Sequence, residues 1–142
     1  MSPDHRFVFL TQIQAGELET EQGTTFRELA YCSLVRTDSG CIVAHETGEF
    51  CGGTFTANGG WENPVSGHDD LDASAPTARD YIDGKRAPGD APEATLENLL
   101  ACDLPSATNR DAYRHILKDN TFGLDQSARA ALRRRLEALA QP

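Results

Sequence analysis

Four side chains that could hold a metal fall within one twenty-residue stretch: Cys32, Cys41, His45 and Cys51. Three thiols and one imidazole are a donor set for structural zinc. The spacing argues against that chemistry. The gaps are eight, three and five intervening residues, whereas zinc knuckles place paired ligands two to four residues apart. Strands would also keep the donors apart. If the loop between the two apolar runs is Asp38-Ser39-Gly40, Cys32 faces Glu46 and points away from Cys41 and His45. If the loop is Ser39-Gly40 alone, Cys32 shares their face but stays several pairs from Cys41. Zinc needs all four donors within about 4 Å of one another. The plainer expectation is that these cysteines are thiols acting as small apolar groups. A Cys41–His45 nucleophile–base pair fails on the same ground, since four residues of strand span about 13 Å.

A second group is His68, Asp69, Asp70 and Asp72, in a stretch rich in Gly and Pro. Carboxylates at that spacing suit a hard cation such as calcium. The glycine and final glutamate of an EF-hand loop are missing, so a solvated acidic loop is the simpler reading. An enzyme reading would draw on His45, Glu46, Asp69 and Asp70, with no substrate indicated. Phosphate-binding glycine loops, a Gly-x-Ser-x-Gly elbow and His-Glu-x-x-His are all absent from the sequence. Arg129, Arg133, Arg134 and Arg135 could meet phosphate on a helix-turn-helix. Their helix offers mainly small apolar neighbours, so nucleic acid is not the favoured partner.

The elements that would position these groups change texture near residue 58. Arg6–Gln14 reads as a strand, with Gly16 ending it and Glu17, Glu19 and Glu21 in an exposed acidic loop. Residues 25–37 carry conflicting signals. Thr25 and Glu28 match a capping box, but the following run looks like a strand, and strand is preferred. Cys41–His45 would complete a hairpin, and Phe50–Ala57 would add a strand in which Gly52-Gly53 marks a bulge or a close backbone approach. Asn58-Gly59 suggests a type I′ turn. Helices are expected from Pro76 to about Asp83, from Pro92 to about Cys102, from about Asn109 to Lys118, and from Gln126 to Ala140 with Asp125 as cap. The expected fold is therefore α+β. A small, mainly antiparallel sheet over residues 6–62 is followed by three to four helices packed on one side of it, the last two forming an αα-hairpin.

Length and charge bound the rest. A chain of 142 residues suits a single domain. No apolar run approaches the ~20 residues of a membrane span, and Met1–Arg6 lacks the features of a secretory leader. A cytoplasmic protein is the resulting expectation. The net charge is −9, and the acids concentrate towards the front. That repels a polyanion. The acidity either serves solubility or docks a basic protein surface. The reading carried forward is a small acidic binding or regulatory protein of inhibitor, immunity or accessory type, without catalytic residues or a cofactor. Glu17, Glu19, Glu21, Asp69, Asp70 and Asp72 would be its partner-binding acids. Metal binding through the Cys/His set or the His68–Asp72 loop, and a small enzyme, are the alternatives.

Overall fold

The computed structural model describes residues 1–65 and 67–139, and within them the side chains of all residues except His68 and Asp69. The chain divides into two compact units, one of residues 1–38 and 42–74, the other of residues 39–41 and 75–142. The class is α+β, as expected.

The first unit is built on a long antiparallel hairpin. Strand β1 (Phe7–Thr20) pairs with β2 (Gly23–Arg36) over its whole length, from Phe7 opposite Arg36 to Thr20 opposite Gly23. Gly16 does not end the strand. It pairs with Arg27 inside the ladder, and the acids at 17 and 19 lie on strand instead of loop. The reason is on the other strand. Thr24, Thr25 and Phe26 favour extension, and a strand face open to water accepts glutamates. The same run overrides the capping box at Thr25, because Thr25 is held opposite Leu18 in the long β1–β2 ladder. Strand β3 (Ile42–Thr47) covers only the root of β2, Tyr31 to Val35, in the order β1-β2-β3. A register shift between Leu34 and Val35 puts Cys32 opposite Glu46. Cys32 therefore points away from His45.

A second three-stranded antiparallel sheet follows: β4 (Thr54–Phe55), β5 (Trp61–Asn63) and β6 (Gly67–Asp69). The strand expected over Phe50–Ala57 shrinks to two residues. Gly48–Phe50 is a 3₁₀ turn, and Gly52 and Gly53 take φ of 141° and 132°. At Gly53 the close approach is real. A Cβ there would sit 2.5 Å from the Glu62 carbonyl oxygen and 2.8 Å from the Trp61 ring. The Asn58-Gly59 signal marks a turn of another type, centred on Ala57 and Asn58. The Gly59 N–H donates to the Thr56 carbonyl at 3.1 Å, and only Gly59 has positive φ. Phe7, Cys32, Leu34, Val43, Trp61 and Leu71 are the buried apolar residues of this unit. Phe9 stacks on Trp61 at 5.0 Å and Phe55 meets it edge-on at 4.9 Å. The short helix α1 (Leu71–Ser74) closes the unit.

The second unit is helical. α2 (Ala78–Ile82) starts at Thr77, which forms a reciprocal capping box with Asp80, so Pro76 precedes the helix instead of opening it. The segment from Pro92 breaks into one 3₁₀ turn and α3 (Leu96–Cys102), because the Thr95 hydroxyl caps the Asn98 N–H and starts a new helix. α4 (Arg110–Asp119) ends on Asn120 in the left-handed conformation. Asp125 caps α5 (Gln126–Ala138) as expected, and Ala140 lies outside the described residues. Ala78, Tyr81, Leu99, Ala112, Tyr113, Ile116, Leu132 and Leu136 form one continuous core. The Tyr113 side chain is fully buried, and its hydroxyl donates to the Asp103 carbonyl.

The cysteines are not thiols. Cys32 is bonded to Cys51 within the first unit, and Cys41 to Cys102 within the second. Sequence position hid this. The 3₁₀ turn after β3 brings Cys51 beside β2, and residues 39–41 belong with the helices, so the Cα atoms meet at 5.6 Å and 4.7 Å.

Candidate protein-binding arm

Past the end of β3, β1 and β2 have only each other. From Thr11 to Leu29 every residue is exposed, and the arm adds roughly 27 Å of ribbon beyond the three-stranded root at about 3.4 Å per residue. Leu10, Ile13, Leu18, Phe26 and Leu29 are 53, 64, 53, 63 and 43% exposed. Isolated exposed apolar residues are common, but five on one hairpin are unusual for a free surface.

The pairing register sorts the arm into two faces. One carries Ile13, Ala15, Glu17 and Glu19 of β1 with Phe26, Glu28 and Ala30 of β2. The other carries Leu10, Gln12, Gln14, Gly16 and Leu18 with Arg27, Leu29 and Tyr31. Three carboxylates thus surround Phe26, and Glu21 stands in the turn beyond them. The arm from residue 10 to 29 holds four glutamates and one arginine.

Backbone phase can be read at the root. The Arg6 carbonyl accepts from the Thr37 N–H, so Arg6 points its polar groups at β2. Antiparallel strands alternate, so Phe7 points outward, and both its groups are taken by Ser2. The Ser2 N–H donates to the Phe7 carbonyl at 2.8 Å, and the Ser2 hydroxyl oxygen accepts from the Phe7 N–H at 3.0 Å. Ser2 itself is buried and its hydroxyl donates to Asp4. That bond, with the Arg6 N–H, holds the Asp4 carboxyl below its ordinary pKa. Beyond this hook, Phe9, Thr11, Ile13, Ala15, Glu17 and Glu19 direct their N–H and C=O groups off an edge that no strand pairs among the described residues.

The other candidates from the sequence fall elsewhere. The proposed zinc set is divided: Cys32 and Cys51 share one disulfide, Cys41 is in another, and His45 lies on the sheet face opposite to Cys32. Sulfurs in disulfides offer no thiolate to a metal. His45 instead faces Ser33, with Nδ1 3.0 Å from the hydroxyl, and stacks near Tyr31. Serine and imidazole resemble a nucleophile and its base, but neither of these two partners is the carboxylate that would orient the ring. The Glu46 carbonyl oxygen lies 3.3 Å from the Cys51 sulfur. Asp70 caps α1, its Oδ1 accepting from the Asp72 and Ala73 N–H groups. Asp72 takes a forked contact from Arg6, which raises the Arg6 pKa further. These groups line an open hollow of about 510 Å³ with Trp61 and Asn58, where Arg6 and Asp72 offset each other's charge. The His68 and Asp69 side chains lie outside what is described. Among the described residues no group of three or more His, Cys, Asp or Glu could hold a metal ion. Arg129 is held by the Leu117 carbonyl, while Arg133, Arg134 and Arg135 are exposed on α5.

Of the six partner acids read from sequence, the structure gathers Glu17, Glu19 and Glu21 on the arm. It adds Glu28, Phe26, Ile13, Leu18 and Leu29, which the sequence reading missed. The available signal was the apolar residues on both faces of β1, Leu10 and Leu18 on one and Ile13 on the other. No protein-family model, curated protein or solved structure matches this chain. No helix among the described residues is long and apolar enough to cross a membrane.

Proposed function

We propose that this chain is a small binding or regulatory protein, of inhibitor, immunity or accessory type, whose hairpin arm docks a positively charged protein surface. One observation carries the reading: the hairpin exposes five large apolar side chains, Leu10 at its root and four on the arm beyond, beside four glutamates. Apolar anchors with a charged surround are the pattern of a protein interface. Acid of this density steers a basic partner and repels nucleic acid. The two disulfides support work in an oxidising compartment over the cytoplasm.

The test compares the immobilised chain with a triple variant, Glu17→Lys, Glu19→Lys and Glu21→Lys, in capture from host extract. A basic protein should be retained by the unaltered chain at low salt, released at high salt, and lost from the variant. Equal retention by both would refute the reading.

A further inference from the structure

We infer that the arm takes its partner as an added β-strand along β1, and that this strand carries basic side chains at alternate positions. The inference rests on the arm being the docking element. It goes further by naming the bonds that hold the partner.

Three independent features converge. First, the outward backbone groups of Phe9 to Glu19 form an unpaired edge of eleven residues, long enough for a strand, and unpaired edges are templates for one. The Ser2 hook closes that edge at Phe7, so an incoming strand starts beyond it. Second, the residues presenting those groups are also the ones whose side chains share the acidic face. A strand seated there puts every second side chain beside Glu17 and Glu19, with Glu28 and the Phe26 ring close behind. Lysine or arginine satisfies the carboxylates and the ring together. Third, the intervening side chains of the incoming strand fall on the opposite face, where Gly16 leaves a gap. A Cβ at Gly16 would meet nothing within 4 Å, and a shallow hollow of about 460 Å³ opens there, lined by Gln14, Leu18, Arg27 and Leu29 among others. An apolar side chain fits between Leu18 and Leu29. The partner segment is therefore an extended stretch alternating basic and apolar residues.

The probe is a synthetic blocked peptide alternating lysine and valine. It is used with a copy that is N-methylated at the residues whose N–H groups face β1, and with a copy that has glutamate for lysine. Binding to the full chain is followed by fluorescence anisotropy, and amide exchange is followed by NMR. The lysine peptide should bind, and it should slow exchange at Thr11, Ile13, Ala15 and Glu17 at least tenfold. The even-numbered amides, already bonded to β2, should change little. N-methylation, and the variant Ala15→Pro, should each weaken binding at least tenfold. Proline at an outward-facing N–H leaves the β1–β2 ladder intact, which an unchanged amide spectrum elsewhere verifies. The glutamate peptide should not bind.

If the lysine and N-methylated peptides bind equally and the odd-numbered amides stay unprotected, strand addition is refuted while acidic docking stands. If no lysine peptide binds but the extract test above succeeds, the partner is a folded surface and the inference fails alone. If odd-numbered amides are protected before peptide is added and the chain sediments as a dimer, a second copy occupies the edge and the inference is overturned.

Discussion

The two units of this chain use the same kinds of residue to opposite ends. The helical unit gathers its apolar side chains into one buried core, and its ten acids balance ten basic residues. The sheet unit holds 12 acids against 3 basic residues, so it accounts for the whole net charge of −9. It also leaves five large apolar groups in water along one hairpin. A unit that only had to fold would resemble the first. The second retains charge repulsion and exposed apolar surface, two costs that the proposed docking would offset.

The largest test of this contrast is covalent. The Cys41–Cys102 bridge spans a sequence separation of 61 residues, and Cys32–Cys51 spans 19. On the chain-entropy account, replacing the first pair with serine should cost roughly 4 kcal/mol and the second roughly 3. Denaturant titration of the two double variants measures the order. A larger loss from the Cys32/Cys51 pair would mean that the sheet unit depends more on its staple than loop length implies.

A smaller test compares side chains. Ile116→Ala opens a hole in the helical core and should lose about 2–5 kcal/mol. Phe26→Ser on the arm should change stability by no more than about 0.5 kcal/mol. A marked loss from Phe26→Ser would show that the arm packs on something within the chain, and the contrast would break.

The mildest test is pH, where the two units should respond at opposite ends. Burial, with the nearby Asp103, raises the Tyr113 pKa well above its ordinary value near 10. The folded form therefore keeps the proton that the unfolded chain gives up. Stability from this group is full below pH about 10 and falls as pH rises beyond it. Asp4 is the reverse. Its lowered pKa stabilises the Ser2 hook above the ordinary carboxylate value and loses that contribution as pH falls through the folded one. Amide exchange across both ranges should show the helical unit loosening in alkali and the Phe7 N–H loosening in acid.

Helix four, the αα-hairpin, the Asp125 cap and the close approach at Gly53 were legible in the sequence, because each depends on local pattern or one residue's special geometry. The length of β1 was not. Gly16 and three glutamates look like a loop until Thr24, Thr25 and Phe26 are known to lie opposite, and that pairing is non-local. The disulfides were illegible for the same reason: a 3₁₀ turn and a three-residue segment shared with the helices decide which sulfurs meet. At the candidate site, Glu17, Glu19 and Glu21 stand out in the sequence by charge alone. Asp70 and Asp72 have the same charge but serve a helix cap and a contact to Arg6, and only folded positions separate the two groups.

Where β3 stops, the ribbon narrows from three strands to two, and narrow ribbons coil more steeply than broad sheets. Its rim therefore climbs as a spiral ramp. A preformed flat sheet would touch such a ramp at one point and then diverge, whereas a loose chain can wind along it. On the docking proposed above, a pliant partner would follow that rim better than a rigid one, by shape alone and before any charge is compared.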